Sequence, residues 1–144
     1  MQQTVLIVDD HAGFRHAARA LLEADGYRVV GESATGGEGI AAAELLRPDL
    51  VLLDLGLPDV DGIEVTRRLS ARMRHLKVVL TSSRDASDYP PHFDHCGARG
   101  FIPKAELSGS ALAAAAASAT NIAMTASFTP RRQPTRSPTA RPWG

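Results

Sequence analysis

Three short, uninterrupted apolar runs, Thr4 to Val8, Leu50 to Leu53 and Val78 to Leu80, constrain the fold of this chain more than any other feature. A strand with one wet face alternates apolar and polar side chains, whereas an unbroken run buries both faces, as in a parallel sheet covered by helices. Runs this short are poor core helices. Weaker strand candidates follow at Tyr27 to Val30 and Phe101 to Ile102. Between the runs the period becomes helical: Phe14, Ala17, Ala18, Leu21 and Leu22 share a face, and Gly26 stands where a helix closes on a left-handed residue. Gly37 to Leu46 (closed by Arg47 and Pro48), Ile63 to Met73 and Ser108 to about Ser118 are further helices, and Ser87 to Cys96 is a poorer one because Pro90 and Pro91 keep it short. Strand and helix thus alternate five times. The expected fold class is α/β, (βα)5, a doubly wound parallel five-stranded sheet, with ligands bound at the carboxyl ends of the strands near the switch in strand order. Pro103 lacks a backbone donor, which argues that the fifth strand is an edge.

A chain of 144 residues accommodates one domain of ordinary size. Sixteen Lys and Arg balance sixteen Asp and Glu, so no overall charge directs it to nucleic acid or an anionic membrane. The distribution is uneven: every acidic residue precedes position 107, while Arg131, Arg132, Arg136 and Arg141 make the end basic. From Thr129 to Pro142 there are four prolines in fourteen residues and no apolar period. The domain is therefore expected over residues 3 to 118, and residues 119 to 144 read as a basic, disordered tail. Cys96 is the single cysteine, which excludes an internal disulfide. With no signal-peptide pattern and no stretch apolar enough to span a bilayer, the chain reads as cytoplasmic, with no membrane partner.

The chemistry-bearing residues sit at strand ends. Asp9 and Asp10 follow the first strand, Asp54 ends the third, Thr81 and Ser82 end the fourth, and Lys104 follows the fifth. A parallel sheet brings all of them to one edge. Crowded carboxylates repel unless a cation joins them, and an all-oxygen site suits a hard ion, Mg2+. A lysine and a hydroxyl beside a carboxylate and Mg2+ are what an incoming phosphoryl group needs. Each acidic residue taken alone reads as a helix cap or turn residue; four strand ends of the required type argue for a site.

Val5-Leu-Ile-Val-Asp-Asp10, Val51-Leu-Leu-Asp-Leu-Gly-Leu-Pro-Asp-Val-Asp-Gly62, Val78-Val-Leu-Thr-Ser82 and Gly97-Ala-Arg-Gly-Phe-Ile-Pro-Lys104 together resemble a two-component response-regulator receiver domain, in order and spacing. The resemblance implies the flavodoxin-like receiver fold and a phosphorelay role. By it, Asp54 accepts phosphate from a sensor histidine kinase or phosphotransfer protein. Asp9 and Asp10 hold Mg2+ together with Asp54 and the backbone carbonyl of Gly56. Lys104 pairs with the phosphoryl group, the hydroxyl of Thr81 moves towards it, and Phe101 reorients inward. The face formed by the fourth helix, fifth strand and fifth helix then changes, to be read by an unidentified protein target or a second copy in a phosphorylation-dependent homodimer. The module is a signalling switch and not an enzyme acting on an external metabolite.

The ending Gly-Phe-Ile-Pro-Lys-Ala-Glu-Leu is similar to receivers that precede a LuxR-type helix-turn-helix, yet no helical period for such a domain follows, so no sequence-specific DNA binding is expected. The competing reading is a DNA-binding transcriptional regulator whose output domain is missing or altered in this chain. A hydrolase using Asp54 as nucleophile ranks last, because Asp54-Leu55-Gly56 lacks a second aspartate two residues on. Many receivers carry Lys-Pro with a cis bond where this chain has Lys104-Ala105; a cis bond before alanine costs about 3 to 4 kcal/mol and is not assumed. His92, His95 and Cys96 at helical spacing read as incidental, and His11 as the first residue of a helix. The run Thr35-Gly-Gly-Glu-Gly39 reads as a turn and helix start, and Asp59 and Asp61 as loop-shaping residues.

Overall fold

The computed structural model describes residues 2–83, 97–117 and, in backbone only, 123–124. Its elements are β1 (Thr4–Val8), α1 (Ala12–Ala24), β2 (Arg28–Ser33), α2 (Gly36–Leu46), β3 (Leu50–Asp54), α3 (Gly62–Arg72), β4 (Lys77–Ser82), β5 (Gly100–Pro103), a 3-10 turn (Lys104–Glu106), α4 (Gly109–Ala116) and β6 (Ala123–Met124). The expected helix between Ser87 and Cys96 falls outside the described residues, so α4 here is the fifth helix expected from the sequence.

All strand pairs are parallel, in the order β2-β1-β3-β4-β5-β6. The apolar runs behave as unbroken runs should, since Val5 to Val8 and Leu50 to Leu53 are all buried. Side-chain alternation divides them between two cores. Leu6, Val8, Val51, Leu53, Val78, Leu80 and Phe101 pack with Ile40 and Ala43 of α2 and Ile63, Val65 and Leu69 of α3. Val5, Ile7, Leu50, Leu52, Val79 and Ile102 pack on the other side with Ala18 and Leu22 of α1 and Leu112, Ala115 and Ala116 of α4. Burying each large aliphatic side chain contributes about 1.5–3 kcal/mol, and helices on both faces make this possible for nearly every strand residue.

Local chemistry sets the helix ends. Thr35 caps α2 by accepting the Glu38 N–H, while Glu38 accepts the Ala34 N–H in return. Arg47 closes that helix in the left-handed region, φ 50°. Ser108 caps α4 by accepting the Ala111 N–H. At the end of α1, Gly26 takes φ 98°, as its position after the helix suggested.

The five expected parallel strands form one sheet, as anticipated. One expectation needs correction: the two-residue β6 pairs with Gly100 and Phe101, so β5 is not the edge of the sheet. Pro103 is compatible with this because, among the described residues, β6 pairs only with Gly100 and Phe101, two residues and more before the proline that lacks an N–H. Ala123–Met124 also lies within the segment expected to be disordered; apart from this pair, residues 118–144 are outside the described set. Every described peptide bond is trans, including Lys104-Ala105. Among the described residues no helix is long and apolar enough to cross a membrane.

Candidate functional site

Strand order reverses between β1 and β3, and the crevice there opens at the carboxyl ends of both strands. Asp9 is the first residue beyond β1. Its N–H donates to the Ser33 carbonyl at 2.9 Å, continuing the ladder, and the Asp9 carbonyl accepts from Arg15 Nη1 at 2.6 Å. Its side chain is 1% exposed. Asp9 Oδ1 accepts the His11 N–H at 2.8 Å in a tight turn that starts α1. Asp10 stands outside, partly open to solvent.

Asp54 ends β3 opposite Thr81 of β4 and is buried. The loop beyond it is held close: Leu55 N–H donates to the Thr81 carbonyl at 3.0 Å, and Gly62 N–H to the Leu55 carbonyl at 3.2 Å. A Cβ on Gly62 would stand 2.7 Å from the Asp54 carbonyl oxygen and 2.8 Å from Leu55 Cα, so the start of α3 reaches the end of β3 only with glycine there. Asp59 ties the same loop to α2, accepting the N–H groups of Gly36 and Gly37 at 2.7 and 2.9 Å. Those two donors hold its carboxyl below the usual carboxylate range. Asp61 caps α3 by accepting the Ile63 N–H. Both aspartates shape the loop, as their neighbours Pro58 and Gly62 suggested.

Lys104 enters from the far side of the crevice. Its Nζ is 2.7 Å from Asp9 Oδ2, 3.8 Å from Asp54 Oδ1 and 4.5 Å from the centroid of the Phe14 ring. The ammonium pairs with Asp9 by charge only, since Asp9 Oδ2 is buried with no partner in hydrogen-bond geometry. Thr81 is fully buried and its Oγ1 donates to the Ile102 carbonyl at 2.6 Å. Phe101 is 2% exposed within the core on the α2 and α3 side, so its ring is already turned inward.

The electrostatics follow from this crowding. Burial pushes the Asp54 carboxyl above its ordinary value, and the Asp9 charge adds to the effect. The Lys104 ammonium and the Gly56 N–H pull it back down, and Asp10 raises it again. Asp9, Asp10, His11 and Asp54 each offer a ligand atom, all within 4.8 Å of one another. Carboxylate oxygens of Asp9, Asp10 and Asp54 crowd together, with the Lys104 ammonium beside Asp9 Oδ2, and a set of hard oxygen donors of this kind fits Mg2+. The expected residues Asp9, Asp10, Asp54, Lys104 and Thr81 therefore converge at one end of the sheet.

Two residues escaped the sequence reading. His11, taken as a helix start, is indeed the α1 N-cap residue, but its ring turns into the acidic cluster. Phe14, taken as one of a helical apolar face, lies under the Lys104 ammonium. The histidine following the paired aspartates was the available signal for the first; the second had none. The candidate set His92, His95 and Cys96 lies outside the described residues.

Comparison with known proteins agrees with this geometry. The family model of the response regulator receiver domain matches residues 5–116. BvgA of Bordetella pertussis, named as a positive transcription regulator of virulence factors, is 39% identical over 106 residues, covering 74% of this chain and 51% of BvgA. The response regulator GacA of Pseudomonas viridiflava is 37% identical over 101 residues, covering 69% of this chain and 47% of GacA. Among solved structures, a LuxR-family two-component response regulator from Aurantimonas sp. SI85-9A1 superposes with a TM-score of 0.75 at 30% identity, covering 85% of this chain and 90% of that one. The chain spans about half the length of the curated relatives it matches.

Proposed function

Because the chain belongs to the response-regulator receiver family, we propose that it is the phospho-accepting switch of a cytoplasmic two-component relay, with Asp54 as acceptor. The observation that carries this reading is the convergence of Asp9, Asp10, Asp54 and Lys104 at the crevice between β1 and β3. In the reaction, an Asp54 carboxylate oxygen attacks the phosphorus of a phosphohistidine on a sensor kinase or phosphotransfer protein. The O–P bond forms as the N–P bond breaks, and the electron pair leaves on the donor imidazole. Asp9, Asp10 and Asp54 would hold Mg2+, with the Gly56 carbonyl as a further ligand. When bound, Mg2+ neutralises charge on the phosphoryl oxygens and on the crowded carboxylates. Lys104, already near both Asp9 and Asp54, pairs with a phosphoryl oxygen, and Thr81 offers a hydroxyl donor. Hydrolysis of the acyl phosphate returns the switch to its resting state.

Output is by protein contact, on the face that includes β5 and α4, and a second phosphorylated copy is one candidate partner. A second reading is favoured by the relatives, which are about twice as long and include one named for transcription regulation. In that reading the chain is the receiver part of a DNA-binding regulator. The acceptor assignment is tested by incubating the protein with a small phosphodonor and Mg2+ and measuring intact mass. Wild type should gain one phosphoryl group and Asp54→Asn none; labelling of another residue in the wild type would remove Asp54 from the role.

A further inference from the structure

The Lys104 ammonium has three neighbours at the crevice. Two are carboxylates, Asp9 Oδ2 at 2.7 Å and Asp54 Oδ1 at 3.8 Å. The third carries no charge: the Phe14 ring, whose centroid lies 4.5 Å from Nζ. That is inside the distance of about 6 Å over which the negative face of an aromatic ring attracts a cation. The lysine side chain is 14% exposed, so water weakens this attraction less than at an open surface. Phe14 itself is well anchored. It stands in the first turn of α1, half-buried, and packs against the core that contains Ile102 and Leu112. Any apolar side chain would cover that core, but only an aromatic one offers the ammonium a ring face.

We propose that Phe14 is a positioning residue for Lys104, its ring holding the ammonium at the crevice when the neighbouring carboxylates are engaged elsewhere. The proposal rests on the reading of Lys104 as partner of a phosphoryl group on Asp54 and adds what keeps the lysine in place. Neither carboxylate suits that task. Asp9 belongs to the oxygen cluster that fits Mg2+, and Asp54 is the proposed acceptor, so each has less charge to offer the lysine once its own partner is present. The ring face is neither a metal ligand nor a nucleophile, and it attracts the ammonium equally in both states. Without such an anchor the four-carbon stem of the lysine samples many rotamers, and pairing with a phosphoryl oxygen must then overcome that freedom.

Two measurements on the full chain test this, comparing wild type with Phe14→Leu, which stays apolar, and Phe14→Tyr, which keeps the ring. The first is NMR of the lysine ε-methylene protons, with Lys77, the chain's other lysine, as reference. Those of Lys104 should be shifted upfield by the ring in wild type and Phe14→Tyr, should return to the Lys77 range in Phe14→Leu, and should stay upfield at saturating Mg2+. The second is the initial rate at which acetyl phosphate with Mg2+ labels Asp54, followed by intact mass. Phe14→Leu should be slower by about two- to fivefold, the weight of one partly screened cation–ring contact, and Phe14→Tyr should recover most of the loss. No upfield shift in wild type, its disappearance when Mg2+ binds, or equal rates in wild type and Phe14→Leu would overturn the proposal. So would a Phe14→Tyr as slow as Phe14→Leu, because packing and not the ring face would then set the rate. Labelled Asp54 without the shift removes Phe14 and leaves the acceptor reading intact. A retained shift with Asp54 unlabelled does the reverse, supporting the ring as anchor of Lys104 while the acceptor reading fails.

Discussion

Lys104 Nζ stands 2.7 Å from Asp9 Oδ2, nearer than the 3.8 Å that separates it from Asp54 Oδ1. The ammonium therefore neutralises Asp9 more than it does Asp54, the proposed acceptor. A lysine so placed competes with a divalent cation for the same oxygen, and by linkage each must weaken the other. Replacing Lys104 with Met should raise Mg2+ affinity several-fold in a calorimetric titration, while the phosphorylated form loses its lysine contact. An equal or lower affinity in Lys104→Met would show that the two cations do not share Asp9.

The pH dependence of stability should report the strain at Asp54. Burial, then the Asp9 charge, pushes its carboxyl above the ordinary 3.8. A raised carboxyl favours the fold while it is protonated, and that contribution is lost as pH rises through the folded-state value. In metal-free protein at neutral pH, Asp54→Asn should melt a few degrees higher than wild type. The gain should shrink to nothing once pH falls below the ordinary carboxyl value, and saturating Mg2+ should reduce it at neutral pH. A gain independent of pH would place its origin outside Asp54 ionisation.

Gly62 is a steric requirement of the site. A methyl here would stand 2.7 Å from a carbonyl oxygen and 2.8 Å from a Cα, both backbone, with no flexible neighbour to give way. Gly62→Ala should cost about 1–3 kcal/mol in urea unfolding, the usual range for overpacking. Gly13 in α1 has open space at its Cβ position and serves as the control, with Gly13→Ala neutral or stabilising. Equal unfolding midpoints for the two variants would contradict the argument.

The positions of Asp9, Asp10, Asp54, Thr81 and Lys104 could be read from the chain because each follows or ends a short apolar run, and a parallel sheet sends all such ends to one edge. That inference needs only strand direction. The ring of His11 and the Phe14 stack depend instead on side-chain rotation at the start of α1, which no periodicity encodes. Asp59 was legible as a loop residue, but its two bonds to the α2 N-terminus join segments more than twenty residues apart. The error over β5 had another cause. Pro103 forbids only the ladder bonds its own N–H would make, and β6 meets the strand two residues earlier.

Thr81 links Asp54, the proposed acceptor, to β5. Its hydroxyl is wholly buried and donates to the Ile102 carbonyl at 2.6 Å, between Phe101 and the segment that carries Lys104. To reach a phosphoryl group on Asp54, its partner across the β3–β4 pair, the hydroxyl must release that carbonyl. Under the proposed function, phosphorylation of Asp54 would release a restraint on β5, which is part of the proposed output face. Thr81→Ala should accept a phosphoryl group at near wild-type extent and lose about 0.5–1.5 kcal/mol of stability from the missing hydrogen bond. Its amide resonances at Phe101 and Ile102 should shift little on phosphorylation, whereas wild type and Thr81→Ser should both shift. The serine variant separates the hydroxyl from the methyl group, which only packs. Full phosphorylation-dependent shifts in Thr81→Ala would mean that the signal leaves Asp54 by another route, with Lys104 the remaining connection between the acceptor and β5.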